Sequence, residues 1–109
     1  MASYPIAPVT QALTANTDTL LYTVPASGRN FGVVTVNLAC STADANVRLA
    51  YGTGASPAAG GYLIYDYPLK AAGAPLRIER DMLTPGTKVW ARASAAGVSA
   101  ILTGLEDGA

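Results

Sequence analysis

Apolar residues recur at every second position in short runs, and each run is cut off by Gly, Pro, Asn or Asp. That two-residue period restricts the fold more than any other feature. In NFGVVTVNLAC (30–40), Val34, Val36, Leu38 and Cys40 share one face and Thr35 and Asn37 the other, the pattern of a strand with one side in a core. ANVRLAY (45–51) repeats it, with Val47, Leu49 and Tyr51 inward and Arg48 outward. TLLYTV (19–24), GYLIYDY (61–67), APLRIERDML (74–83), GTKVWARAS (86–94) and GVSAILTGLE (97–106) complete seven runs, separated by turn clusters such as PASGRN, STADAN and TPG. In the last run the register is open, because Val98, Ala100 and Leu102 compete with Ile101 and Leu105. No 3.6-residue period and no internal repeat of 20–50 residues is present. The chain therefore reads as all-β, a single antiparallel β-sandwich of about seven strands. Ig-like and jelly-roll connectivity both remain open.

With 109 residues there is room for one core. Residues 18–109 are assigned to the sandwich and residues 1–17 to an extended N-terminal arm, since Pro5 and Pro8 oppose both helix and central-strand pairing. Tyr4, Ile6, Val9 and Leu13 give the arm apolar anchors for a neighbouring surface or subunit. The N-terminal stretch has neither a basic nor an apolar leader region, and no run approaches 18 apolar residues, so no secretory signal and no membrane span is expected.

Seven Lys and Arg balance seven Asp and Glu, and they are spread thinly. Binding to a nucleic-acid backbone needs positive charge gathered on one face, whereas Arg77 and Arg80 sit beside Glu79 and Asp81. A near-neutral surface also does little to keep identical molecules apart. The chain contains no histidine, which removes the usual general base, the usual metal ligand and every Ser-His or Cys-His nucleophile pair. One cysteine and scattered carboxylates do not make a zinc site. Cys40 reads as a small buried hydrophobe, with an interchain bridge or a reactive thiol as the second reading. Neither an enzyme nor a cofactor is expected from this inventory.

YGTGASPAAGGYLIYDYPL (51–69) concentrates glycine and tyrosine. Its GTG lacks the Lys-Ser/Thr of a phosphate loop and no helix comes after it, so the glycines and Pro57 are read as a chain reversal between strands. Strict alternation would send Tyr62, Ile64 and Asp66 to one face and Leu63, Tyr65 and Tyr67 to the other. The tyrosines then serve either as core and rim packing or as an inter-subunit contact. Trp90 has two readings as well. With Val89, Ala91 and Ala93 inward it stands outward between Lys88 and Arg92, as a binding anchor would. With the opposite face inward it belongs to the core.

The segments LLYTVPASGRNFGVVTVNLACST, NVRLAYGTG, GYLIYDYPL and VWARASAAGVSAILTGLE, taken in order, resemble a group of small tailed-bacteriophage virion proteins. That resemblance implies a β-sandwich subunit of the tail, baseplate or fibre region, or a head decoration, with no catalytic residues to carry over. The expected partners are other virion proteins and further copies of the chain, assembled in many copies through the N-terminal arm and strand edges; the expected state is a homo-oligomer, and the expected place is the virion after synthesis in the bacterial cytoplasm. A carbohydrate-binding module for host recognition is the alternative, with Trp90, Tyr62, Tyr65 or Tyr67 stacking on a surface glycan beside Asp66 and Arg92.

Overall fold

The computed structural model describes residues 2–108. Eight strands succeed one another: β1 (Ser3–Ala12), β2 (Thr19–Thr23), β3 (Arg29–Cys40), β4 (Ala45–Gly52), β5 (Tyr62–Leu69), β6 (Leu76–Leu83), β7 (Lys88–Ala93) and β8 (Val98–Gly108), with one 3-10 turn at Ala59–Gly61. They form two four-stranded antiparallel sheets, ordered β1-β8-β3-β6 and β2-β7-β4-β5. Only β4 and β5 are neighbours both in the chain and in a sheet. The pairs β4/β5, β3/β6, β2/β7 and β1/β8 nest inside one another like a single long hairpin rolled up, and β3/β8 and β4/β7 ladders join the roll into sheets. This is jelly-roll connectivity, and it settles the choice left open by the sequence.

In β3 and β4 the inward faces are those that alternation selects, and in β7 and β8 the structure decides between the two faces left open by the sequence. Val34, Val36 and Leu38 of β3, Val47 and Leu49 of β4, Val89, Ala91 and Ala93 of β7, and Val98, Ala100 and Leu102 of β8 meet in one core. The register of β8 thus leaves Ile101 and Leu105 on the outside. Gly104 stands where β8 crosses β3 closely, and a Cβ there would come within 1.9 Å of the Val33 carbonyl oxygen.

Residues 3–12 are not a free arm. They form the edge strand β1, paired with β8 from Ser3↔Asp107 to Ala12↔Ser99, and Ile6 and Leu13 lie in the core with Val9 packed against it. Leu13 N donates to Val98 O at 2.9 Å and Asn16 N to Ala93 O at 2.7 Å, carrying the chain from one sheet to the other. The prolines are compatible because an edge strand has one unpaired side and the ladder bulges between Ile6 and Val9. The eighth strand is therefore the segment that proline content had excluded.

All four edge strands are bulged, with the additional residue always on the edge strand: between Ile6 and Val9 in β1, Leu20 and Tyr22 in β2, Ile78 and Asp81 in β6, and at two places in β5. The β4/β7 ladder runs without interruption.

Candidate binding surfaces

Two bulges decide what β5 presents. Ala50 pairs with Tyr62 and Leu49 with Ile64, so Leu63 is extra; Val47 pairs with Tyr67, so Tyr65 and Asp66 together oppose Arg48. Asp66 takes a left-handed backbone at φ 53°, which Asp tolerates better than most residues. Ile64 packs against the core. Tyr62, Tyr65 and Asp66 consequently converge on the outer face of the second sheet, whereas strict alternation had separated Tyr65 from the other two and grouped Ile64 with them.

The convergence is held by direct contacts. Arg48 Nε donates to Asp66 Oδ1 at 2.7 Å and Nη2 to Oδ2 at 3.3 Å, while its guanidinium lies 4.0 Å from the Tyr65 ring centroid. Tyr62 meets Tyr65 edge-on with centroids 5.0 Å apart. The hydrogen bond from Arg48 holds the Asp66 carboxyl below the usual carboxylate range, and the same bond raises Arg48. Arg92 sits directly opposite Arg48 across the β4/β7 ladder, a like-charge pairing that Asp66 and Asp18 offset. Arg92 Nη1 stands 3.7 Å from Asp18 Oδ2, beyond hydrogen-bond range. A hollow of about 170 Å³ opens here, lined by Asn16, Asn46, Arg48, Asp66, Arg92 and Ser94.

Trp90 is on this outer face, as the first of its two readings has it, but it is not an exposed anchor. It occupies the row Leu20–Trp90–Ala50–Tyr62, it is only 4% exposed, and its Cζ3 lies 3.5 Å from where a Cβ on Gly52 would be. The expectation of an open stacking platform at Trp90 is corrected accordingly. Tyr67 is exposed at the β5 edge.

The outer face of the first sheet has a different character. Pro5, Leu105, Val33 and Met82 fall in one register row across all four strands, about 15 Å from end to end at the usual strand spacing. Leu105 is 50% and Met82 67% exposed. On the same strand as Met82, Arg77 and Glu79 pair with each other at 2.7 Å.

Two tyrosine–carboxylate links stitch the sheets together. Tyr22 of β2 donates to Glu106 of β8, which also accepts from Arg29 Nε at 2.7 Å, and Tyr51 of β4 donates to Asp81 of β6 at 2.5 Å. Burial pushes both phenols up, and the hydrogen bonds to carboxylates push them further. For Glu106, burial acts upward, but the bonds from Tyr22 and Arg29 and the nearby guanidinium outweigh it and leave the carboxyl below its ordinary value. Tyr4, expected on an arm, caps this cluster, with the Arg29 guanidinium 3.8 Å from its ring centroid.

Of the residues singled out by sequence, Tyr62, Tyr65 and Arg92 therefore share a surface; Ile6, Val9 and Leu13 pack into their own core, and Tyr4 and Trp90 are engaged within the chain. Arg48, Asn46 and Asn16 were missed, since alternation marks them only as exposed. Among the described residues no group of three or more His, Cys, Asp or Glu lies together in a way that could hold a metal ion. No family model, no curated protein and no solved structure matches the chain.

Proposed function

We propose that this chain is a non-enzymatic structural component of a tailed-phage virion, present in many copies in the tail, baseplate or fibre region or as a head decoration. The observation that carries the reading is the apolar row Pro5–Leu105–Val33–Met82, which leaves greasy side chains in water across a whole sheet on a chain of zero formal charge. The bulged edges disfavour continuous backbone pairing between sheets of different molecules. Association therefore uses side chains on the face, with copies of the chain and other virion proteins as partners. The sequence resemblance to small phage virion proteins points the same way, as does an inventory without histidine.

The test compares the wild type with Leu105→Glu and Met82→Glu by sedimentation and by copy number in purified particles. The wild type is expected to associate with itself and to be found in particles; each variant is expected to lose association while keeping its denaturation midpoint, because both side chains are on the outside. A wild-type chain that stays monomeric at high concentration and is absent from any particle would refute the proposal.

A further inference from the structure

We infer that the outer face of the second sheet around β4, β5 and β7 binds a neutral saccharide, with the hydroxyls of one sugar in the hollow on Asp66, Arg92 and the two asparagines and a neighbouring pyranose ring against Tyr65 beside it. The inference concerns a different face from the apolar row and stands whether or not the chain belongs to a particle.

The chemistry of the lining selects the ligand class. The lining carries two guanidiniums, Arg48 and Arg92, and one carboxylate, Asp66, and Asp18 stands just outside it 3.7 Å from Arg92, so the charges around the hollow balance and exert little net pull on an anion. What remains is a mixture of donors and acceptors. The Arg92 guanidinium makes no hydrogen bond at its 3.7 Å separation from Asp18. The Asp66 carboxylate, about half exposed, keeps lone pairs beyond the two that Arg48 uses. Asn16 and Asn46 each bring an amide to the lining, able to donate and to accept. A sugar hydroxyl also does both, and adjacent hydroxyls on a ring match an array in which the two kinds alternate.

Tyr65 supplies the apolar side. Tyr65, next to Asp66 at the margin of the hollow, is 59% exposed, and its ring is held by the Arg48 guanidinium over one face and by an edge-to-face contact with Tyr62. A pyranose presents C–H groups on one face, and an amphipathic ring held in place accepts that face at little cost in side-chain entropy. The volume, about 170 Å³, is too small for a drug-sized molecule and too polar for an aliphatic one. Backbone conformation adds a further sign. Four non-glycine residues in the described chain have positive φ, and two of them, Asn16 and Asp66, line this one hollow.

The experiment titrates isotope-labelled full-length chain with neutral trisaccharides of glucose, mannose, galactose and N-acetylglucosamine, and with a glucuronate-containing trisaccharide, while recording backbone amide shifts. At least one neutral probe is expected to move amides near residues 46–48, 65–67 and 92–94, saturating in the millimolar range. Tyr65→Ala and, separately, Arg92→Gln should each weaken that binding about tenfold or more, roughly the loss of one stacking or charge-assisted contact. Thermal melts check that both variants remain folded; if one does not, the other carries the test. The inference is overturned if no neutral probe shifts these amides at tens of millimolar, if the shifts fall elsewhere, if folded variants bind as the wild type does, or if only the glucuronate probe binds.

Discussion

Leu13→Ala distinguishes a strand from an arm. Leu13 is 3% exposed and belongs to the core cluster, so the substitution removes buried methyl groups and leaves a cavity, at about 2–5 kcal/mol. Against a total stability of roughly 5–15 kcal/mol, that loss is large. At the usual sensitivity for a domain of this size, about 3 kcal/mol lowers the melting temperature by roughly 10–20 °C. The single tryptophan makes the assay direct, because Trp90 is buried and lies in the sheet that does not contain β1. Its emission during urea titration therefore reports global unfolding. The expected result is a lower midpoint with an unchanged slope. Ile6→Ala should behave similarly, whereas Gln11→Ala, exposed on the same strand, should change stability by no more than about 0.5 kcal/mol. If Leu13→Ala leaves the midpoint of the monomer where it was, residues 3–13 do not pack on their own sandwich and the eight-strand account fails.

Glu106 has a folded-state carboxyl held below its ordinary value of 4.5, so its contribution is present above that pH and fades as pH falls through the lower folded value. Glu106→Gln is expected to cost about 1.5–3 kcal/mol near neutrality, the range for hydrogen bonds to a charged group, and to flatten the acid limb of stability measured by urea titration across pH. An acid limb identical in the variant would count against the Tyr22–Glu106–Arg29 link. Gly104→Ala should destabilise by more than about 2 kcal/mol, since the new Cβ meets the Val33 carbonyl oxygen at 1.9 Å and backbone must shift to admit it; a wild-type melting temperature would show that the β8–β3 approach is looser than described. Cys40 is buried and burial raises its thiol pKa, so native chain should react with a thiol reagent many times more slowly than chain in denaturant, and equal rates would contradict the burial.

How much of this could be read from residues alone depends on where the chain obeys a simple period. β3, β4, β7 and β8 are interior strands, and interior strands keep the alternation that identifies them; Val34, Val36 and Leu38 are as buried as the pattern requires. β1 was hidden because proline is a signal against central strands only, and its pairing with β8 lies about a hundred residues away along the chain. Connectivity was hidden for the same reason, since the nesting of β4/β5 within β3/β6, β2/β7 and β1/β8 depends on long-range partners that no local pattern encodes. Trp90 was legible as to its face but not as to its burial. Its surroundings come from β2 and β4, including a glycine, Gly52, whose missing side chain leaves room beside the indole.

The candidate site was illegible for a related reason, and that reason connects the site with assembly. A bulge adds one residue to one strand and so inverts the face on which each later side chain of that strand stands. In β5 it places Tyr65 and Asp66 together over Arg48; in β1, β2 and β6 it disrupts an edge that could otherwise pair with a second molecule. Segments such as YPIAPV, YLIYDYP and RIERDM read as imperfect strands when scored for alternation. Their imperfections are informative. By closing the edges to backbone pairing they leave the sheet faces as the surfaces on which a partner can be recognised. The two faces then divide by chemistry, one apolar through Leu105, Val33 and Met82 and the other polar and aromatic through Arg92, Arg48, Asp66 and Tyr65. A change removing the bulge opposite Arg48, deletion of Asp66, would test this directly. It should leave Tyr65 alone opposite Arg48, take away the carboxylate that accepts from Arg48 and faces the hollow, and weaken saccharide binding about tenfold or more while leaving the Leu105 face and any self-association untouched. If self-association were lost together with binding, the two faces would not be independent.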